Sequence, residues 1–146
     1  MELWKYSAAE IATAIKTKKV SAFEVTRAHL DRLKEVNPQI NAVVQEMPNE
    51  AFKQALKIDK KIKNGDDLGL LAGVPVTVKV NIDQKNYATT NGVRINRNTI
   101  AKENSPVVKN FLDADAIIIG RTNTPSFSLR WFTKNKLHGH TKNPHN

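Results

Sequence analysis

The chain has 146 residues, with 23 Lys plus Arg against 14 Asp plus Glu for a formal charge of +9, and no cysteine. That length can bury one core of ordinary size, and the lack of thiols excludes a disulfide framework, a Cys nucleophile and a Cys-held metal. No apolar run is long enough to cross a bilayer, and the start, MELWKYSAAE, lacks the apolar stretch of a secretory leader, so a soluble cytoplasmic protein without a membrane partner is expected.

Ser7-Ala8-Ala9-Glu10 has the form of a capping box. It predicts a helix to about Lys18, with Ile11, Ala14 and Ile15 inward. Ser21-Ala22-Phe23-Glu24 repeats the signal. The helix that follows carries Phe23, Arg27, Leu30, Leu33 and Lys34 at helical spacing. It is expected to stop before Pro38, because a residue preceding proline is biased away from helical backbone. Ile40 to Met47 predicts a short strand with Ile40, Ala42 and Val44 on one face. Pro48 and Glu50 open a third helix through Ala51, Phe52, Ala55, Leu56, Asp59 and Ile62, and Asn64-Gly65 is its stop. Residues 1–65 therefore read as helical cladding with one strand.

From Leu70 the texture changes. Val74, Val76, Val78 and Val80 fall on one face of an extended segment, and Pro75, Thr77 and Lys79 on the other. A Lys in such a run either reaches water or has a local partner. Residues 81–104 form a long polar loop, of a length that is usually functional or mobile. Ser105-Pro106 is a cap followed by a proline suited to the first helical turn, and Val107, Val108, Phe111 and Leu112 give that helix its apolar face. Ile117-Ile118-Ile119 reads as an apolar strand ending at Gly120, as in the middle of a covered sheet. Thr122 to Pro125 is a turn and a new cap. The tail, residues 134–146, is polar and shows no regular pattern. The chain thus divides into a mainly helical part (1–65), a strand–loop–helix–strand core (70–133) and the tail. Strands separated by helices predict an α/β fold, a mixed sheet with parallel pairing flanked by helices.

The basic residues are scattered, and Lys57, Lys60, Lys61 and Lys63 alternate with Ile58 and Ile62 as on the wet side of a helix. Few aromatics are interleaved, so a nucleic-acid partner is not expected. His138 and His140 share a face if extended and could hold a metal, but with His145 they read as ordinary loop histidines. The six glycines are dispersed and form no phosphate cradle. Asp113 and Asp115 stand at a helix C-terminus, where acids oppose the helix dipole, and no third ligand is near. No metal or cofactor is expected.

Three blocks carry a resemblance: GVPVTVKVNID followed by TTNG, then ADAIIIGRTNTPSF from Ala114, then WFTKNKLHGHTKNP from Trp131. Together and in this order they resemble the amidase signature family. The resemblance implies a partial amidase signature fold and a small amide as substrate. It also implies a Ser nucleophile, a second Ser with a cis peptide bond, and a Lys as base. Lys79 stands at the position of that Lys, where a neutral amine takes a proton through the second Ser. Such a role needs a depressed amine pKa, which burial can supply. The family's GGSSGG loop is absent, and the sequence stops at residues 143–146, a few positions ahead of it. Val80 stands where the family has an acid. The expectation is therefore the N-terminal part of an amide hydrolase that keeps only its Lys and is inactive alone. The amidase subunit of the tRNA-dependent amidotransferase is a related reading. A third is a non-catalytic α/β module that binds a partner or self-associates, because a shortened sheet would leave strands such as Ile117 to Ile119 with an open edge or an uncovered face.

Overall fold

Ser7 begins the first helix, as its spacing predicts. In the computed structural model, which describes residues 2–145, the Glu10 N–H donates to the Ser7 hydroxyl and the Ser7 N–H donates to the Glu10 carboxylate at 2.7 Å. This closes the capping box of α1 (Ala8–Lys16). The Ser7 hydroxyl, then the Ser7 N–H, hold the Glu10 carboxyl below its ordinary range. Ser21 and Glu24 make the same reciprocal bonds at the start of α2 (Ala22–Ile40). The Asp59 carboxylate adds two acceptors there, for the Ala22 and Phe23 N–H groups, and negative charge at a helix N-terminus is favourable.

The second helix does not stop before Pro38. It runs to Ile40 with Pro38 inside. The Asn37 side chain explains where it does end: Asn37 Oδ1 accepts from the Ala42 and Val43 N–H groups and Asn37 Nδ2 donates to the Val43 carbonyl. Asn41, at φ 51°, makes the left-handed exit. Strand β1 (Val43–Glu46) consequently starts late and in the opposite phase from the predicted one. Val43 is buried, whereas Ala42 and Val44 are half-buried. Helix α3 (Pro48–Asn64) opens on Pro48 and closes on Gly65 at φ 78°.

The chain forms two compact units. The first comprises Met1–Glu35, Met47–Val76 and Asn110–Ile119. Ile11 and Ile15 of α1, Val25 and Leu30 of α2, and Ala51, Ala55 and Ile58 of α3 pack with Val74, Ile117 and Ile119 in one apolar cluster. Lys61 Nζ donates to both oxygens of Asp115, at 2.7 and 3.0 Å, and the Gly69 N–H donates to the same carboxylate at 2.8 Å. Burial pushes the Asp115 carboxyl up, but the bonds from Lys61 and Gly69, with the charges of Lys61 and Lys57, outweigh it and hold the carboxyl below its usual value. A depressed folded pKa contributes stability that is present above the unfolded pKa and lost as pH falls through the folded one. Asp115→Asn is therefore expected to cost about 1–3 kcal/mol at neutral pH, shrinking as the solution is acidified below the carboxylate range. Urea unfolding of both proteins across pH checks this; a pH-independent difference would contradict it.

Gly69 also has no room for a side chain. A Cβ there would lie 2.3 Å from the Ala114 carbonyl carbon and 2.4 Å from its oxygen. That carbonyl is already fixed by the Leu71 N–H at 2.9 Å. Gly69→Ala is expected to lower stability by about 1–3 kcal/mol, as overpacking does, and a thermal melt reads it directly.

The second unit comprises Val36–Glu46, Thr77–Lys109 and Gly120–Asn146. In it β1 pairs antiparallel with β3 (Ile117–Thr122), Val43 opposite Thr122 and Glu46 opposite Gly120. The Val80 N–H, just past β2 (Pro75–Lys79), donates to the Thr122 carbonyl, and in the first unit the Ile117 N–H donates to the Val74 carbonyl. The partners advance together, so β2 and β3 are parallel. The sheet order β1-β3-β2 makes the predicted mixed sheet. Strand β3 is its middle strand and Ile117–Ile119 are buried, so they form no open edge. The strand also continues past Gly120 to Thr122. Helix α4 (Pro106–Asp113) starts as Ser105-Pro106 predicts, with the Val108 N–H on the Ser105 hydroxyl. After Pro125 there is only a 3-10 turn, Ser126–Ser128, in place of a new helix. The tail, expected to be irregular, folds back as a hairpin of β4 (Lys134–Asn135) and β5 (Gly139–His140).

Candidate active site

Strand alternation sends Val78 and Val80 inward, 2% and 1% exposed, and turns Lys79 to the other face, half-buried. Lys79 Nζ meets Ser128 Oγ at 3.2 Å, and Asn81 Nδ2 meets the same oxygen at 3.1 Å. Thr124 Oγ1 lies 3.0 Å from Ser128 Oγ and donates to the Pro125 carbonyl. A hydroxyl has one proton. Thr124 spends its own on Pro125, so the Ser128 proton goes to Thr124, and Ser128 accepts from both Lys79 and Asn81. The amine therefore acts as a donor toward this serine, and Ser128 is not set up as a nucleophile. Asn81 Oδ1 is buried with no partner among the described residues.

Ser128 reaches Lys79 through backbone of unusual shape. Phe127 and Ser128 have φ of 53° and 59°, in the left-handed region. The Phe127 N–H is fixed by the Asn91 carbonyl at 2.9 Å. Neither residue type favours that conformation, so the sequence carried no signal that Ser128 would face Lys79.

Arg121 holds the loop behind the site. It is 0% exposed. One nitrogen donates to the Ala88 carbonyl at 2.7 Å, another to the Ile82 carbonyl at 2.9 Å, and the guanidinium sits 5.8 Å from the Tyr87 ring. Burial pulls its pKa below the usual value, against the opposing charges of Asp83 and Tyr87. The loop of residues 81–104 is further closed by the Ala88–Ile100 bridge and by the Thr89 hydroxyl on Asp83.

His138 Nε2 lies 3.0 Å from the Thr90 hydroxyl. Burial, then the positive charge of Arg121, hold this imidazole below its ordinary range, so it is neutral at pH 7. The carbonyls of His138 and His140 accept from Asn41. These histidines thus have structural partners, and among the described residues no cluster has the makings of a metal site.

A family profile described as Amidase matches residues 24–146. The chain belongs to the amidase family. It is 49% identical over 142 residues to indoleacetamide hydrolase of Bradyrhizobium diazoefficiens, a match covering 97% of this chain and 27% of that protein. It is 38% identical over 144 residues to a glutamyl-tRNA(Gln) amidotransferase subunit of Thermoanaerobacter pseudethanolicus, covering 99% of this chain and 29% of that one. A bacterial aryl acylamidase of the amidase signature enzymes superposes with a TM-score of 0.92 at 31% identity, over 97% of this chain and 30% of its own. This amidase-family chain thus spans a little over a quarter of the length of the relatives it matches. Lys79, Asn81, Arg121 and Ser128 all lie within the matched residues.

Proposed function

We propose that this chain carries the lysine part of an amide-hydrolysing site, and that the serine nucleophile and the second serine come from sequence it does not contain. The match of the amidase family profile over residues 24–146, with Lys79 on β2 inside it, supports this reading most directly. In the reaction, a neutral Lys79 amine accepts a proton from the second serine as that serine accepts one from the nucleophile. The nucleophilic oxygen forms a bond to the amide carbon. The C–N bond then breaks, the leaving nitrogen takes up a proton, and water hydrolyses the acyl-serine. No cofactor enters the reaction.

The higher identity to a hydrolase than to an amidotransferase component favours a free small amide as substrate. The experiment is ammonia release from indoleacetamide. The chain alone is expected to release none above buffer, because a base without its nucleophile cannot transfer an acyl group. A polypeptide that continues into a serine-rich loop is expected to release it. Turnover by the chain alone that disappears in Lys79→Ala would overturn the proposal.

The chain alone is also proposed to self-associate. The motive is the pair Leu129 and Trp131, exposed at 81% and 106%, since exposed apolar patches mark interaction or aggregation surfaces. Light scattering that shows a monodisperse monomer would remove this expectation.

A further inference from the structure

Four cations surround one cavity of the second unit. The cavity, of about 530 Å³, has Arg94, Arg130, Lys134 and Lys136 in its lining, together with Phe132 and Ser126. Its size falls within the range of ordinary small-ligand sites. The four cationic side chains are exposed. The ion pairs among the described residues join Lys5 to Glu2, Arg32 to Glu35 and Lys61 to Asp115, so none of the four is neutralised by a carboxylate.

The backbone that carries the two lysines is anchored at Asn135. Asn135, between Lys134 and Lys136, donates to Asn123 Oδ1 at 2.8 Å and to the Thr124 carbonyl at 2.7 Å, and its own oxygen accepts from the Leu137 and His138 N–H groups. Lys134 precedes Asn135 in β4 and Lys136 follows it in the turn, and both are exposed. Arg94 Nε donates to the Lys136 carbonyl, which ties one wall to the other and leaves the rest of its guanidinium fork free. The Arg130 guanidinium stands 5.9 Å from the Phe132 ring. Like charges gathered at a concave site raise the local potential for an anion, and two arginine forks suit planar oxyanions.

We propose that this cavity binds a small ligand that carries two or more negative charges beside a flat apolar portion, the anionic group meeting the four cations and the flat portion meeting Phe132. The proposal does not depend on the role assigned to Lys79. Calorimetric titration of the chain with pyrophosphate and with adenosine diphosphate, at low and high salt, tests it. Both probes are expected to bind at low salt, the nucleotide more tightly. The double variant Arg130→Ala with Lys134→Ala is expected to weaken binding at least tenfold. Lys53→Ala with Lys60→Ala removes the same charge from α3 and is expected to change binding less than twofold. The exposed single variant Lys136→Gln, expected to weaken binding by a smaller factor, keeps the test valid if the first double variant fails to fold. Equal losses in the two double variants would show generic attraction to a basic protein and overturn the proposal, as would no binding of either probe.

Discussion

In a polypeptide that completes the catalytic site, Lys79→Ala is expected to lower kcat by about two to four orders of magnitude, the scale of a general base, while KM changes little. An interaction used only in the transition state has that signature. Lys79 lies on the face of β2 opposite the buried Val78 and Val80, so its removal leaves the core intact and activity is the sensitive readout. Lys79→Arg is the informative companion. It keeps the positive charge and can still donate to Ser128, but a guanidinium does not deprotonate in a protein. If Lys79 acts as a neutral base, the arginine variant is as impaired as the alanine variant. If Lys79 serves only to hold Ser128 and Asn81 together, arginine retains most of the activity, and that result would refute the proposed role. Steady-state ammonia release from indoleacetamide separates the two outcomes.

The parts of the fold that were legible in the sequence are those where a local signal and the tertiary fold agree. The Ser7 and Ser21 boxes, the Gly65 stop, the Ser105 cap and the valine alternation around Lys79 all rest on short-range chemistry. Where long-range bonds compete, the local reading fails. A medium-range case is α2, which ends at Ile40, past Pro38, where the Asn37 side chain takes up the backbone of Ala42 and Val43. The tail forms a hairpin whose two arms, at Asn135 and Thr141, are both tied to Asn123, with Thr141 also donating to the Asn41 carbonyl. At the candidate site, the periodicity gave the orientation of Lys79, and the motif resemblance gave its family. Its immediate partner was not legible, since Ser128 arrives through two left-handed non-glycine residues. Arg121 was missed for a related reason. A charged residue directly after an apolar run looks like the end of a strand, and only the fold shows two carbonyls waiting for it.

Those two carbonyls make Arg121→Ala the substitution with the largest expected effect on stability, about 3–5 kcal/mol. The side chain is fully buried, so its removal opens a cavity. The half-buried Ile82 and Ala88 carbonyls also lose their donors, and an acceptor left unsatisfied away from water costs about 1–3 kcal/mol. Arg121→Lys is expected to recover only part of the loss, since one ammonium cannot span both carbonyls as the planar fork does. The damage should be local before it is global. The amides of Asn86, Thr89 and Ala101, which bond within the loop, are expected to lose hydrogen-exchange protection first, ahead of those of Ile117 and Ile119 in the apolar cluster. Denaturant midpoints give the size of the effect and exchange rates give its location. An unchanged midpoint would mean that Arg121 is a passenger in its own interior. Uniform loss of protection would mean that the loop behind Lys79 has no stability separate from the rest.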